Sequence, residues 1–386
     1  MLEQEQTINR SRVSSIDILR GFVMAVMLLD HVRERFFYHV PISDPIDIDQ
    51  TSASLFFTRM LAHLCAPVFV FLTGLSAWLY AHPKNKAPRP VSSFLLKRGL
   101  FLIMLEVTVI NLSWFGYYQT LYLQVIWAIG ISMICLSVLC KLSLSHLWIG
   151  MIGFFIIFGH NTLTPISLES DELGYTLWTI LHDRGYLLTD GFLKIKASYP
   201  VLPWIGVILI GYFVGPLYDT KVPVLTRKKV MIGIGTSALS LLLILRGFNL
   251  YGETEPWMAQ GTLIQSVMSF FNYTKYPPSL DYLLLTIGVG CLLLSWFERV
   301  TYKWTEVLRT FGTAPMFFYI LHLYILLFLY KVLVAIYGTQ QGSYFGFDTL
   351  WQVWLFTIVL LVVLYYPTRW FSNYKRHSSS KLIKYF

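Results

Sequence analysis

Ten apolar stretches divide the sequence, and each is close to the length that a transmembrane helix requires. A helix needs about 20 consecutive apolar residues to cross the hydrocarbon core of a bilayer. One soluble core in a chain of 386 residues has no room for so many such runs. The predicted spans lie near residues 16–35, 56–80, 96–115, 121–140, 144–160, 200–217, 230–247, 280–297, 313–335 and 349–367. The sequence therefore predicts an all-α fold, a polytopic transmembrane helical bundle of about 10 spans.

The composition agrees with a membrane protein. Only 13% of the residues are charged and 55% are apolar, whereas roughly 25% are charged in an ordinary soluble domain. A collagen, a disordered chain and a small disulfide-stapled module are excluded. The four cysteines, Cys65, Cys135, Cys140 and Cys291, lie in or beside apolar segments without metal-ligand spacing. We expect free thiols and no metal site.

The net charge of +9 is explained by the predicted topology. With the N-terminus inside, 20 of the 30 Lys and Arg residues fall in inner segments and eight fall in outer segments. Because the more basic loops of a membrane protein face the cytoplasm, both termini are predicted to be cytoplasmic. The positive charge then requires no nucleic-acid partner.

The spans divide the chain into three parts. Residues 1–15 lack the pattern of a signal peptide and are predicted to form a cytoplasmic lead. Residues 16–370 hold the transmembrane domain, and residues 371–386 form a basic cytoplasmic tail. The longer outer loops lie near 36–55, 161–198 and 248–279. Loops of this length either cover a site or simply connect helices.

The first span carries charged residues, which are expensive in hydrocarbon and often functional. Arg20 and His31 are eleven residues apart, close to three helical turns, so they share one face about 16 Å apart along the axis. Asp17 lies on the same face, whereas Asp30 points about 100° away from His31. Two structural alternatives stay open. Arg20 can be a snorkelling anchor, and the Asp30–His31 pair can be a polar contact between helices.

Further polar residues lie in other spans. Arg59 and His63 are one helical turn apart in the outer half of the second span. Glu106 and His322 lie in the middle of the third and ninth spans. Each alone is more often a hydrogen-bonding group between helices than a catalyst. Together with His31, however, Arg59 and His63 predict a polar cavity that opens outward.

Four motifs resemble those of the transmembrane acyltransferases related to heparan-α-glucosaminide N-acetyltransferase. They are Ser15-Ile-Asp-Ile-Leu-Arg20-Gly21, Ala66-Pro-Val-Phe-Val-Phe-Leu-Thr-Gly74, Lys275-Tyr-Pro-Pro-Ser-Leu280 and Phe317-Phe-Tyr-Ile-Leu-His322-Leu323. Their order is that of the family, and they extend from the first predicted span to the ninth. The spacing Arg20-x10-His31 also resembles the Arg-x10-His signature of the wider membrane acyltransferase families, in which the histidine is taken as the catalytic base.

The resemblance implies that residues 16–370 form an acyltransferase domain. Such a domain would transfer an acetyl group from cytosolic acetyl-CoA to a sugar acceptor, an amino sugar or another glycan, on the far side of the membrane. Basic residues suit the phosphates of CoA, although the inner ones are also explained by topology alone. The candidate CoA-binding residues are Arg20, Lys97, Arg98, Arg227, Lys228 and Lys275.

The resemblance also gives His31 the role of general base or of transient acetyl carrier. Imidazole, with an ordinary pKa of about 6.5, accepts a proton from an amine or hydroxyl near neutral pH. Lysosomal members carry an asparagine at this position and their histidine in the following loop, where this chain has His39, so His39 is the alternative base. Arg59, His63 and Tyr319 are predicted to shape the site or stabilise an oxyanion, and Asp30 and His322 complete the candidate set.

Two other functions fit a helical membrane protein with buried charges. A secondary transporter predicts broken, repeated helices around a midplane site, and no internal repeat is evident in the sequence. A non-catalytic glycan- or lipid-binding scaffold would keep the fold without any need for His31. Under the acyltransferase hypothesis the partners are acetyl-CoA, a sugar acceptor and membrane lipid, and a homodimer is compatible with the sequence. The absence of a lumenal domain before the first span favours the bacterial cytoplasmic membrane.

Overall fold

The computed structural model describes residues 13–84, 86–300, 302–380 and 383–386. Most of the predicted lead (residues 1–12) and residues 381–382 of the predicted tail lie outside the described residues. The described chain is mainly helical, and its buried apolar side chains form one large core that extends through the bundle.

The helices differ in length. They are α1 (Ser14–Phe36), α2 (Ala53–Ala62), α3 (Cys65–Ala81), α4 (Val91–Leu105), α5 (Asn111–Phe115), α6 (Val125–Lys141), α7 (His146–Gly159), α8 (Tyr175–Leu181), α9 (Leu202–Val214), α10 (Val224–Gly247), α11 (Leu263–Phe270), α12 (Leu280–Phe297), α13 (Lys303–Thr313), α14 (Pro315–Tyr337) and α15 (Leu350–His377). A π-helical segment, Glu106–Ile110, joins α4 to α5, and short 3₁₀ turns occupy His160–Leu163, Gly215–Tyr218 and Ile383–Tyr385.

Each of the ten predicted spans contains a helix, and the chain is a helical membrane protein. Within the described ranges, six helical segments are long and apolar enough to cross a membrane: Ala53–Ala81, His146–Leu163, Val224–Gly247, Leu280–Phe297, Pro315–Tyr337 and Leu350–His377. Two shorter apolar helices, Val125–Lys141 and Leu202–Tyr218, coincide with two more predicted spans. The number of crossings beyond six and the cytoplasmic placement of the termini stay predictions.

A small sheet departs from the all-α expectation. Strands β1 (Thr120–Leu123), β2 (Gly185–Leu188) and β3 (Lys194–Ala197) form a sheet in the order β1-β3-β2. β1 runs parallel to β3, with Thr120 opposite Lys194, and β2 runs antiparallel to β3. The predicted span 121–140 therefore begins as a strand, because its first residues pair with a distant loop before α6 starts.

Helix α13 was not anticipated from the sequence, because its mixed polar and apolar residues do not form a long hydrophobic run. It packs closely against α1 through two glycines. A methyl group on Gly21 would overlap the carbonyl oxygen of Leu308, and one on Gly312 would overlap that of Asp17. Only glycine permits the two backbones to approach so closely.

Glycines also permit close approach at several other helix contacts. Gly74 of α3 and Gly211 of α9 each lie against a backbone carbonyl of the other helix, Ile208 and Phe71 respectively. Similar reciprocal approaches join Gly99 to Gly130 and Gly235 to Gly288. All four cysteines are free thiols, as predicted.

The predicted second span is one apolar run that bends between α2 and α3. Pro67 has no N–H to donate to the carbonyl oxygen of His63, four residues earlier. The hydroxyl of Tyr282 in α12 donates to that oxygen instead, at 2.9 Å. The break thus brings α12 against the turn that follows Arg59.

Candidate active site

A cavity lies among α1, α3, α4, α6 and the start of α14. Its empty volume, mouth included, is about 880 Å³, within the usual range of small-molecule sites, roughly 300–1,000 Å³. The apolar part of the wall consists mainly of Met24, Met27, Phe69, Leu102, Ile126, Ile129 and Met133. The polar groups of the wall are Asp30, His31, Thr73, Arg98, Tyr199, Lys275 and Tyr319. The wall is mainly apolar, and of His31, Arg59 and His63, which predicted a polar cavity together, only His31 lines it.

His31 occupies the wall between α1 and α14. Its Nδ1 atom lies 2.8 Å from Nε2 of His322, and the two rings stack with centroids 5.1 Å apart. Trp114 and Tyr319 meet the His31 ring edge-on, at 5.4 and 5.9 Å. Three aromatic side chains thus fix the plane of this imidazole.

The contacts of His322 determine which nitrogen of His31 is available. Nδ1 of His322 lies 2.8 Å from the carbonyl oxygen of Phe318, which accepts and cannot donate. A neutral His322 therefore carries its proton on Nδ1 and accepts on Nε2. His31 must then donate from Nδ1, and its Nε2 keeps a free lone pair.

Asp30 anchors a buried ion cluster beside His31. Its Oδ2 accepts from Arg59 at 2.5 Å, and its Oδ1 accepts from Nε and Nη2 of Arg33 at 3.0 and 2.8 Å. Its side chain and those of both arginines are about 90% buried. The carboxylate is thus fully engaged with α1 and α2, and it does not orient the His31 ring.

The other predicted histidines lie away from the cavity wall. His63 is buried behind it, with its ring against Tyr282 at 5.1 Å and no hydrogen-bond partner for Nδ1. His39 packs on Phe37, and its Nδ1 faces Gly346 in the loop before α15. Of the two alternative bases, only His31 lines the cavity.

The candidate CoA-binding residues separate into three groups. Arg98 and Lys275 line the cavity. Arg20 joins α1 to α3 and α13 through Asp17, Ser76 and the carbonyl oxygen of Gly312.

Arg227, Lys97 and Lys228 lie elsewhere. Nε and Nη2 of Arg227 donate to the two carboxylate oxygens of Glu298 at 2.9 and 2.7 Å, and its guanidinium lies over the Tyr218 ring. Lys97 is exposed and Lys228 is half-buried, both off the cavity wall. The buried Arg227–Glu298 pair has the geometry of a structural contact between α10 and the end of α12.

Tyr199 and Lys275 line the cavity, and we refer to these two residues with their neighbours Tyr276, Arg184 and Asp44 as the mouth. Of the five, sequence reasoning had singled out only Lys275 as a candidate site residue. Tyr199 and Tyr276 join through their hydroxyls at 3.2 Å, and Arg184 lies over the Tyr276 ring at 4.8 Å. The Asp44 carboxylate accepts from the backbone N–H groups of Lys275 and Tyr276 at 3.1–3.3 Å. Burial raises the pKa of Asp44 and holds that of Tyr199 well above its ordinary value. In the sequence, the only indication of these contacts was the motif Lys275-Tyr-Pro-Pro.

The sheet fixes one side of this mouth. The carbonyl oxygen of Leu123 accepts from the backbone N–H groups of Ser198 and Tyr199 at 3.0 and 3.2 Å. Tyr199 is therefore tied to the strand that leads directly into Val125, another residue of the cavity wall.

The sequence analysis also did not identify Trp114 and Arg35 as residues of the site. Arg35 donates to the carbonyl oxygens of Trp114 and Ser113, and its guanidinium lies 5.6 Å from the centre of the Trp114 ring. This contact holds the indole that packs against His31. An arginine near the end of a predicted span is usually explained by membrane topology. The sequence position of Arg35 therefore did not indicate that it holds the Trp114 ring against His31.

One family model matches the chain, over residues 12–247. Its description is heparan-alpha-glucosaminide N-acetyltransferase, catalytic. The match covers 236 of the 386 residues and includes α1 to α10, and so His31 and the Asp30 cluster. No curated protein matches the chain significantly.

Proposed function

The chain belongs to the heparan-alpha-glucosaminide N-acetyltransferase family, and from that premise we propose that it moves an acetyl group from cytosolic acetyl-CoA to a sugar acceptor outside the membrane. His31 is the proposed general base, and an amino sugar or another glycan is the proposed acceptor. The observation that carries this proposal is the position of His31 in the cavity wall with its Nε2 lone pair free.

The proposed step needs one base. His31 Nε2 accepts the proton that the attacking nitrogen or oxygen of the sugar loses as it bonds to the acetyl carbon. The protonated imidazole then returns this proton to the CoA sulfur as the carbon–sulfur bond breaks. Tyr319 lines the cavity beside His31 and is the candidate donor to the carbonyl oxygen.

The cavity suits the acetyl donor. The wall residues of α1 run from Met24 to His31, about 10 Å of helix axis, and most of the wall between them is apolar. Arg98 offers a cation for the phosphates of CoA. A mainly apolar cavity whose wall includes such a cation suits the long, mostly uncharged arm that carries the acetyl group.

The charge bias of the sequence supports the direction of transfer. With the N-terminus in the cytoplasm, α1 and α4 both run outward, so Arg98 lies nearer the inner surface than His31 does. Tyr199, Lys275 and Tyr276 then lie towards the outer surface, where a sugar acceptor would arrive. Aromatic rings and charged groups at a mouth are suited to the faces and hydroxyls of sugars.

Acceptor-dependent release of CoA tests the proposal. The purified protein in detergent is given acetyl-CoA and a panel of amino sugars, beside His31→Ala and the control His39→Ala. We expect His31→Ala to lose about 10²- to 10⁴-fold in kcat, the usual contribution of a general base. His39→Ala is expected to keep wild-type turnover.

A folded His31→Ala protein with full activity would contradict the assignment of the base. Binding of acetyl-CoA without turnover on any sugar would contradict the choice of acceptor. Failure to bind acetyl-CoA, combined with solute uptake in proteoliposomes, would favour the transporter hypothesis.

A further inference from the structure

A short segment that follows α15 in the chain packs on α4. We call residues 383–386 the C-terminal strap, of which Ile383–Tyr385 form a 3₁₀ turn. The centroid of the Tyr385 ring lies 6.2 Å from that of Phe94, in a stacked geometry, and 5.6 Å from that of Phe101. Both phenylalanines belong to α4, so aromatic contacts attach the strap to this helix.

The second aromatic residue of the strap extends the contact to α15. The Phe386 ring lies 5.6 Å from that of Phe101 and 6.3 Å from that of Phe371, between centroids. Phe371 in turn stacks on Phe317 at 4.1 Å. Phe317 follows Met316, a residue of the cavity wall. The strap therefore bridges α4 and α15 close to the start of α14.

Arg98 lies on the face of α4 that carries the strap. Phe94, Arg98 and Phe101 are spaced i, i+4 and i+7, so they follow one stripe of the helix, and the two phenylalanines are about 10 Å apart along its axis. A ring that contacts both of them lies beside the turn between them, and that turn carries Arg98. Tyr385 thus packs beside a residue that lines the cavity of the proposed active site.

The charge of Arg98 is not balanced by the contacts around it. Its side chain is half-buried and its guanidinium lies 6.0 Å from the centre of the Phe94 ring. None of the ion pairs formed among the described residues includes Arg98. A half-buried guanidinium without a counterion favours an anionic ligand. The aromatic rings of the strap lie beside this cation but do not neutralise it.

We propose that the C-terminal strap is an inhibitory gate, which must leave α4 before a phosphate of acetyl-CoA can pair with Arg98. The inference rests on the proposed function, since it takes acetyl-CoA as the anionic ligand. Residues 371–386 form the predicted cytoplasmic tail, so the strap lies on the side from which this donor arrives. Its contacts with α4 are ring contacts of modest strength, and they separate without the unfolding of a helix. The apparent affinity for the donor is then the intrinsic affinity reduced to the fraction of molecules with an open strap.

Calorimetric titration of the full chain in detergent with acetyl-CoA tests the gate. We expect Tyr385→Ala/Phe386→Ala to bind acetyl-CoA roughly threefold or more tightly than the wild type, because opening no longer breaks the ring contacts. Tyr374→Ala is the matched control. It removes an exposed ring near the end of α15 that contacts Trp370 and Phe371, and it is expected to bind as the wild type does.

A reversible crosslink provides a second measurement. Phe101→Cys/Tyr385→Cys places one thiol on α4 and one on the strap, within reach of a short bis-methanethiosulfonate linker. The crosslinked peptides are identified by mass spectrometry. We expect the crosslinked protein to bind acetyl-CoA at least tenfold more weakly than the same protein after reduction releases the linker. Tyr385→Cys alone, treated in the same way, controls for reaction at the four natural free cysteines.

Three results would overturn the gate alone. They are the absence of the crosslink in protein without acetyl-CoA, normal binding of acetyl-CoA by the crosslinked protein, and a Tyr385→Ala/Phe386→Ala variant that binds no more tightly than the wild type. A strap that only supports the fold gives the last result together with a lower Tm. Failure of the proposed function is distinguishable, because neither the wild type nor any variant would then bind acetyl-CoA, and the gate would fall with it.

Discussion

His31 Nδ1 and His322 Nε2 lie 2.8 Å apart, although 291 positions separate the two residues in the chain. The contact joins the first helix to α14 and gives the His31 ring a neutral hydrogen-bond acceptor. His322 is itself fixed by the carbonyl oxygen of Phe318 in its own helix. The pair thus aligns one imidazole by means of another, and among the described residues no carboxylate is hydrogen-bonded to either ring.

The first prediction concerns His322 as a positioning residue. We expect His322→Leu to lower kcat by about 10²-fold or more, because His31 loses the group that fixes its tautomer. His322→Gln offers an amide oxygen to the same N–H and is expected to keep more activity. The KM for acetyl-CoA is expected to change little in either variant. Equal kcat values for the Leu and Gln variants would show that the hydrogen bond does not matter.

The second prediction separates Arg98, which lines the cavity, from Arg227, which is paired with Glu298. Arg98→Gln is expected to raise the KM for acetyl-CoA by about tenfold or more, since a hydrogen bond to a charged group contributes roughly 1.5–3 kcal/mol. Arg227→Gln is expected to leave this KM unchanged and to lower stability, because it strands the buried Glu298 carboxylate. Steady-state kinetics and thermal unfolding of both variants check this. If Arg227→Gln raised the KM for acetyl-CoA, Arg227 would instead be a CoA-binding residue.

The third prediction concerns the ion cluster at Asp30. Asp30→Asn leaves Arg59 buried without its partner, and such a loss costs about 3–5 kcal/mol. The double variant Asp30→Asn/Arg59→Gln is expected to recover part of this stability. Denaturant titration measures both. Glu306→Gln breaks an exposed pair with Arg309 and serves as the control, with an expected change below about 1 kcal/mol.

The fourth prediction tests the docking of α13 on α1. Gly21→Ala and Gly312→Ala each place a methyl group on a backbone carbonyl that cannot retreat, and we expect each to cost about 3 kcal/mol or more. Gly233→Ala in α10 has open space around it and is the matched control. The yield of monodisperse protein and its Tm measure the effect. A normal Tm in Gly21→Ala would show that the helices separate at little cost.

Sequence reasoning singled out several residues that share the cavity, because charged residues are conspicuous in apolar runs. Asp30, His31 and Tyr319 share one cavity, and Arg59 and His322 contact its wall residues. The sequence could not show that Arg59 forms an ion pair with Asp30, because this pairing depends on how α2 packs against α1. The same holds for Arg227, whose partner Glu298 lies 71 positions away.

The parts of the structure that escaped prediction lack a long apolar run. Helix α13 mixes polar and apolar residues, so its packing face becomes evident only beside α1. Tyr199 and Asp44 lie in loops, where the spacing of residues along the sequence does not predict which side chains are in contact. Trp114 resembled one more aromatic residue at the end of a span, until the fold placed it on His31.

The strand pairing between β1 and β3 also bears on how an acceptor is chosen. Tyr199 cannot swing away from Val125 without breaking the ladder that joins their segments, and Asp44 clamps Lys275 and Tyr276 on another part of the rim. An opening built in this way is preorganised, so little loop-ordering entropy is lost when a ligand enters. We therefore expect discrimination between acceptors to depend on how well the shape of the sugar ring fits the preformed opening. Compact acceptors should be favoured over long flexible ones.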